Sequence, residues 1–165
     1  MGELAVGQKV VHPRYGAGTV VQVRTGGADE DHKLYYVIHI PSKDLQVHLP
    51  VDAAGGVELR ELVSVLKMDN ALNILRSEPV LLPSDYRERR AWVVESMQDG
   101  AVGSLAQVIR DLHGLHGRKT LSVLESSVLL DAKRQLAGEL ALVVGIEFKD
   151  AMRRVESALS KGPSA

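Results

Sequence analysis

The chain has 165 residues, of which 45% are hydrophobic and 25% charged, with a formal net charge of -1 and no cysteine. This length and composition predict a globular protein with one medium core or two small ones. The near-neutral charge disfavours a broad nucleic-acid-binding surface, although it is compatible with a small basic patch. The chain lacks disulfides, thiolate metal ligands, long apolar runs and the pattern of a secretory signal, so we expect residence in the cytoplasm and no contact with a membrane.

The first fifty residues contain short runs with the composition of strands. There are four such runs, rich in β-branched and aromatic residues, at residues 8–12, 18–24, 34–40 and 45–50. Turn residues separate the runs, and one predicted turn contains Gly26, Gly27 and the acidic residues 29–31. Strands this short and this close together predict a small, strongly bent antiparallel β barrel of the SH3 or Tudor type.

From residue 51 onward the composition changes to leucine, alanine and alternating charges, in a pattern that predicts helices. A boundary helix or loop over residues 57–66 leads to a helix over residues 69–76. This helix ends at Glu78 and Pro79, because proline disfavours helix at the residue before it. The sequence therefore predicts a two-domain α+β protein, with the barrel at residues 1–56, an all-α domain of about five helices at residues 57–162, and a disordered tail at residues 163–165.

Capping patterns predict the bounds of the later helices. Ser104 is expected to cap a helix over residues 105–113, which Gly114 breaks. Ser122 precedes Glu125 by three residues, the spacing of a capping box, and starts a long helix that Gly145 interrupts. A last helix from residue 147 or 148 carries its apolar residues on one face, namely Phe148, Ala151, Met152, Val155 and Leu159.

The segment 82–92 combines three arginines and two aromatic residues in a chain that is only 4% aromatic. After Pro83, Ser84 or Asp85 can cap a helix that ends near Gly100. On this helix one stripe contains Tyr86, Arg90, Val93 and Met97, and another contains Arg89, Trp92 and Ser96. One stripe must pack against the protein, which leaves the other for a partner.

Five segments resemble, in the same order, the CarD/CdnL family of bacterial transcription regulators, whose N-terminal domain is shared with transcription-repair coupling factor. They are residues 6–18, the strand ending at Pro50, and residues 82–86, 108–112 and 132–141. The resemblance implies a Tudor-like domain that binds the β subunit of RNA polymerase and a helical domain that contacts promoter DNA. It also implies that the protein stabilises the open complex and associates with the nucleoid through polymerase.

The resemblance implies DNA-binding residues in the same segment. The family inserts an aromatic residue, usually tryptophan, into the minor groove at the upstream edge of the bubble, and Tyr86 holds the matching position. Arg89 matches a basic residue that contacts phosphates, with Arg87 and Arg90 assisting, and Trp92 is the alternative wedge. Stacking and phosphate contacts need no base readout, so this contact is sequence-tolerant.

For the polymerase contact, the resemblance implies the end of the fourth strand, with Val47, His48 and Pro50. His48 stands where some relatives have arginine. Arg24 or Arg14 could supply that positive charge instead.

Each of these residues also has a structural interpretation. Tyr86 could close the apolar stripe with Val93 and Met97, and Trp92 could be a half-buried anchor between helices. The three arginines could form a solvated face paired with Asp85 and Glu88.

The sequence contains no recognisable catalytic grouping, so we expect a protein that is not an enzyme and uses no cofactor, metal or small-molecule substrate. His113 and His116 have a spacing that a metal could use on a helix, but the neighbouring glycines favour a surface loop. Two other functions stay open at this point. One is a protein-interaction adaptor that uses the barrel without DNA contact, and the other is a hydrolase that uses the histidines.

Overall fold

The structure is a computed structural model that describes residues 3–26, 33–54 and 58–162. Its strands are β1 (Lys9–His12), β2 (Gly16–Thr25), β3 (Leu34–Ile40) and β4 (Leu45–Pro50). Its helices are α1 (Val51–Ala54), α2 (Val65–Arg76), α3 (Tyr86–Met97), α4 (Val102–His116), α5 (Val123–Val144) and α6 (Phe148–Lys161). The predicted acidic turn at residues 29–31, the predicted domain boundary at residues 56–57 and the predicted tail lie outside the described residues.

The four strands form one antiparallel sheet in the order β1-β2-β3-β4, with a bulge between Val20 and Gln22. The α+β fold class is therefore confirmed. One face of the sheet covers a small core that includes Val10, Ile38 and Ile40. Gly18 lies against this core, and a Cβ atom there would come within 2.8 Å of the Ile38 side chain. The sequence needs glycine here because the strands bend closely over one another.

The helices α2 to α6 enclose a second, larger core. Helix α4 lies in its middle and packs against α2, α3 and α5, while α6 packs against α5 and α2. The apolar residues predicted on one face of α6 do pack against this core, with Ala151 and Val155 completely buried. None of the described helices combines the length and the apolar composition needed to cross a membrane.

The capping predictions are confirmed for α5 but not for α4. The Ser122–Glu125 capping box is confirmed at the start of α5, and Gly145 ends this helix in a left-handed conformation with φ of 72°. Ser104 is not a cap, because α4 already begins at Val102 and the Ser104 hydroxyl donates to Asp99 at 3.0 Å.

Two other helix bounds also differ from the predictions. Helix α2 begins after Ser64, whose side chain accepts a hydrogen bond from the backbone of Lys67, so the helix starts earlier than residue 69. Gly114 does not break α4, which continues to His116. A glycine is nevertheless required there, because a Cβ atom at position 114 would lie 2.7 Å from the Pro79 ring.

A cluster around Arg60 joins the sheet to the helices. The Arg60 backbone exchanges two hydrogen bonds with Val11 of β1, at 2.8 and 3.1 Å. Its guanidinium donates to both carboxylate oxygens of Glu139 on α5, at 2.6 and 2.8 Å, and to the Gly100 carbonyl at 3.1 Å. This arrangement sets how the sheet and the helices lie relative to one another.

Candidate functional site

Helix α3 has one packed face and one exposed face. Arg89 and Val93 are buried, and Trp92 and Met97 pack partly buried against the helical core. The opposite face carries Tyr86, Arg87, Arg90, Ala91, Val94, Glu95 and Gln98, which line an open depression. The predicted stripes are therefore divided differently, because Val93 and Met97 belong with Arg89 and not with Tyr86.

Tyr86 is the first residue of α3 and is 39% exposed. Asp85 caps the helix by accepting a hydrogen bond from the Arg87 backbone at 3.0 Å. The interpretation that the Tyr86 ring closes the apolar stripe is wrong, since the exposed Tyr86 is not among the residues that pack against the helical core with Val93 and Met97. Arg89 Cζ lies 5.8 Å from the ring centroid, so a cation–π contact restrains the exposed ring from one side.

The sequence predicts that Arg89 binds phosphate, but the structure buries its guanidinium and gives it hydrogen bonds within the protein. Arg89 Nε donates to Glu125 Oε2 at 2.8 Å, and Nη2 donates to Oε1 at 3.3 Å. Arg89 Nη1 donates to the carbonyls of Pro83 and Ser84, at 3.2 and 2.9 Å. Arg89 is therefore a positioning residue that ties the segment before Tyr86 to the start of α5.

The charges of this pair stabilise each other. The hydrogen bond from Arg89, together with hydrogen bonds from Ser122, lowers the pKa of Glu125 to about 2 against the opposing effect of burial. The same hydrogen bond raises the pKa of Arg89 above its ordinary value. Both groups stay charged at neutral pH, so the anchor beneath Tyr86 is permanent.

Trp92 lies on the packed face and contacts the helical core. Its interpretation as a half-buried anchor is confirmed. The alternative role as the DNA wedge does not fit this position, because the indole lies on the side of α3 that faces the protein.

Arg87 and Arg90 are exposed, and within the part of the chain that the structure describes neither forms an ion pair. The Asp85 carboxylate, their predicted partner, accepts from the backbone of Arg87 instead. Both guanidinium groups are therefore available to an anionic ligand beside Tyr86.

The strand register brings together three of the four residues predicted to contact polymerase. Tyr35 of β3 pairs with Arg24 of β2 on one side and with Pro50 of β4 on the other. Two residues further along β3, Val37 pairs with His48 of β4. Directly paired residues of antiparallel strands share a face, so Arg24, His48 and Pro50 lie on the same side of the sheet. Among the described residues β4 pairs only with β3, which leaves its outer edge open.

Val47 lies on the other face of the sheet. It pairs with Ile38 and packs partly buried against the small core. Because alternate residues of a strand point to opposite faces, the Val47 side chain does not share the face of Arg24, His48 and Pro50. Arg14 stacks its guanidinium 5.6 Å from the Tyr15 ring, in the turn between β1 and β2.

His113 and His116 lie in the last turn of α4 and line a shallow depression together with Lys133. Burial and the nearby Lys133 lower the pKa of His113. Within the described residues no group of three or more histidine, aspartate or glutamate side chains could hold a metal ion. The pair therefore has no third ligand in the described part of the chain.

Sequence reasoning missed three members of this region. Glu125 was recognised as part of a capping box but not as the partner of Arg89, 36 residues away. Arg118 and Lys119 follow α4 and line a second depression beside residues 81–84. The only local signal for them was two adjacent cations in a turn.

Two family models match the chain over separate ranges that agree with the two parts of the fold. Residues 4–63 match the CarD-like/TRCF RID domain, and residues 70–156 match the CarD C-terminal domain. The chain belongs to the CarD family. Another CarD-like protein, named "Putative transcription factor YdeB" in Bacillus subtilis (strain 168), is 25% identical over 146 residues, which cover 87% of this chain and 94% of that protein. Membership of the CarD family makes this protein a transcription-associated regulator and confirms the resemblance inferred from the sequence.

Proposed function

We propose that this CarD-family protein binds the β subunit of RNA polymerase through its sheet and stabilises the open promoter complex through the exposed face of α3. It would act in the cytoplasm, associated with the nucleoid through polymerase. The observation that carries the DNA half of the proposal is the exposed Tyr86 ring, held against Arg89 and flanked by the unpaired Arg87 and Arg90.

An exposed aromatic ring on a rigid support suits a distorted base step. At the edge of a melted bubble one base loses a stacking neighbour, and an aromatic side chain can replace it, which contributes about 1–3 kcal/mol per base. Because Arg89 and the capped first turn already hold Tyr86 in place, little side-chain freedom is lost on insertion. Tyr86 is therefore the proposed minor-groove wedge.

Arg87 and Arg90 would hold the DNA backbone beside the wedge. Phosphate contacts from arginine give affinity that depends on salt and not on sequence. A factor that acts at many promoters needs this kind of contact, since base-specific hydrogen bonds would restrict it to a few sites.

The polymerase half of the proposal is supported by the sheet face that carries Arg24, His48 and Pro50. The open edge of β4 gives a partner strand backbone groups to pair with, and the adjacent side chains add specificity. The match to the CarD-like/TRCF RID domain covers this whole sheet and supports a polymerase contact by this part of the chain.

The proposal is tested by the lifetime of open complexes formed by purified polymerase on promoter DNA. We expect the wild-type protein to lengthen the lifetime and Tyr86→Ala to remove at least about fivefold of that effect, which corresponds to about 1 kcal/mol. Tyr86→Trp should lengthen it beyond wild type, because the larger indole stacks over more area. Leu66→Ala is a matched control, since Leu66 is 71% exposed on α2, away from the site.

The same variants separate this proposal from the adaptor alternative. Tyr86→Ala should bind the β subunit as well as wild type does, whereas Arg24→Glu combined with His48→Glu should lose that binding. A Tyr86→Ala protein that gives the wild-type lifetime would contradict the DNA half and favour an adaptor. Unchanged binding by the Arg24/His48 variant would contradict the sheet face as the polymerase contact.

A further inference from the structure

We infer that Arg118 and Lys119 form a second phosphate-binding pair, which holds the DNA strand across the minor groove from the strand held by Arg87 and Arg90. This inference rests on the proposed function and extends the phosphate contacts from one DNA strand to both strands. It assigns a role to the turn between α4 and α5.

The turn that carries the two cations is well anchored. Helix α4 ends at His116, and the backbone N–H groups of Arg118 and Lys119 both donate to the Leu115 carbonyl, at 2.9 and 3.0 Å. Both side chains are exposed, and neither takes part in an ion pair within the described ranges. The structure thus presents two free cations on a fixed backbone.

Arg118 and Lys119 adjoin the proposed wedge through Arg89. Together with residues 81–84, Leu115 and Arg89, they line a depression distinct from the one beside Arg87 and Arg90. Arg89 borders this second depression and also contacts the Tyr86 ring. Arg89 therefore links the two depressions, of which the first is lined by Tyr86 with Arg87 and Arg90 and the second by Arg118 and Lys119.

The geometry of the minor groove explains why a wedge benefits from cations on both sides. The groove is only about 6 Å wide, and a phosphate backbone borders it on either side. A ring inserted from this groove has one strand on each side, so cations on one side alone would leave the other strand unheld. Leu81, which is 74% exposed and lines the second depression with Arg118 and Lys119, offers an apolar contact for the DNA.

The charge distribution supports the same occupant. The chain has a formal net charge of -1, yet the two depressions are lined by four cations, two in each, that form no ion pair with any described residue. Such a local excess fits a polyanion with charge on both sides of a groove.

The test measures how the protein-dependent open-complex lifetime varies with salt, using the full chain and polymerase. Each lost phosphate contact lowers the slope of log affinity against log salt by about 0.9. We expect Arg118→Ser/Lys119→Ser to lower the slope by about 2, as Arg87→Ser/Arg90→Ser does, and the fourfold variant to lower it by about 4. Arg154→Ser/Lys161→Ser is the matched control, because it removes one exposed arginine and one exposed lysine from α6 and should leave the slope unchanged.

A second measurement tests the assignment of strands. The chain has no cysteine, so a single one can carry a tethered iron chelate that cleaves nearby DNA. Chelates on Arg87→Cys and Lys119→Cys should cleave opposite strands at the upstream edge of the bubble. Thermal unfolding of every variant should match wild type, since all the altered side chains are exposed.

The outcomes separate the inference from the function on which it rests. If Arg87→Ser/Arg90→Ser lowers the slope and Arg118→Ser/Lys119→Ser does not, the second pair is refuted and the proposed function stands. Cleavage of the same strand from both positions would also overturn the inference. If the wild-type protein does not lengthen the lifetime at all, the proposed function and the inference both fail.

Discussion

Arg89 donates two hydrogen bonds to Glu125 in a place where each side chain is only 4% exposed. An isolated charge here would carry a large desolvation cost, and the pair is tolerated because the remaining polar atoms are also satisfied. Arg89 reaches two carbonyls of the segment before α3, and Glu125 completes the capping box of α5. One residue pair thus connects the starts of two helices and supports the exposed Tyr86.

Replacing Arg89 should therefore destabilise the protein strongly. Arg89→Met leaves Glu125 buried without its partner, and we expect the free energy of unfolding to fall by about 3–5 kcal/mol. Urea unfolding followed by the fluorescence of Trp92 would measure this change. Arg90→Met is the matched control on the next, exposed position, where the expected change is within about 0.5 kcal/mol. Equal stability of the two variants would contradict the anchoring role.

The pH dependence of stability should report the same pair. The pKa of Glu125 is lowered in the folded state to about 2 from its ordinary value of 4.5, so folding favours the ionised form. Its contribution to stability is complete above the ordinary pKa and is lost as the pH falls through about 2. In Arg89→Met, burial without a partner reverses the direction, because the protonated carboxyl is then favoured in the folded state.

We accordingly expect the stability gap between wild type and Arg89→Met to narrow as the pH falls from neutrality towards 3. Urea midpoints measured across that range would check it. A gap that stays constant with pH would contradict the assignment, since a purely steric defect does not titrate.

At the scale of elements, the site depends on how closely the segment before α3 approaches α4. Pro79 packs on Gly114 so tightly that no side chain fits between them. Just beyond it, Asp111 accepts a hydrogen bond from the Val80 backbone at 2.9 Å while pairing with Arg110. These contacts direct the chain toward Pro83 and so set where α3 begins.

Gly114→Ala should destabilise the protein although alanine favours helix. The new methyl group would clash with the Pro79 ring at 2.7 Å, and overpacking of this kind costs about 1–3 kcal/mol. Gly103→Ala, in the same helix but with no atom within 4 Å of the added carbon, should instead gain up to about 1 kcal/mol. Thermal unfolding of both variants decides the matter, and a stabilised Gly114→Ala would contradict the close approach.

The elements predicted correctly from the sequence are those specified by neighbouring residues. The strands β3 and β4, the capping box at Ser122 and the end of α5 at Gly145 depend on local composition and spacing, so they were predicted correctly. The surroundings of Arg89 and Val47 could not be predicted, because they depend on residues that are not neighbours in the sequence. Nothing near Arg89 in sequence indicates Glu125, and the face on which Val47 lies is set by its pairing with β3. To predict that Tyr86 is exposed, one would also need to know where the first turn of α3 lies relative to α4 and α5.

For the molecule as a whole, the two proposed contact surfaces are held at a fixed separation. The sheet face with Arg24 and His48 belongs to one core, and the α3 face with Tyr86 belongs to the other. Arg60 connects them, since its backbone pairs with Val11 of β1 and its guanidinium binds Glu139 of α5. Two lysines add contacts to α5. Lys9 of β1 donates a hydrogen bond to the Leu142 carbonyl at 3.3 Å, and Lys43, in the turn between β3 and β4, forms an ion pair with Asp131 at 3.6 Å. Because this connection is rigid, polymerase binding at the sheet would also place Tyr86, with no further loss of conformational freedom.

Loss of the Arg60 side chain should loosen this connection. In Arg60→Met the Glu139 carboxylate, which is 3% exposed, keeps only its hydrogen bond from the Val63 backbone at 2.9 Å. Because Arg60 itself is 32% exposed and water can enter, we expect a loss of about 2–3 kcal/mol, below that of a fully buried pair.

Hydrogen exchange would locate the effect of Arg60→Met. The amides of Val11 and Arg60, which form the bridge between the two backbones, should exchange faster in this variant, whereas those at the centre of α4 should follow the global loss of stability. Lys149→Met, which removes an ion pair exposed on both sides, should change neither. If the bridge amides of Arg60→Met exchange no faster than the centre of α4 does, the two parts separate only on global unfolding. The rigid spacing between sheet and wedge would then depend on packing between β2 and α5 instead of on Arg60.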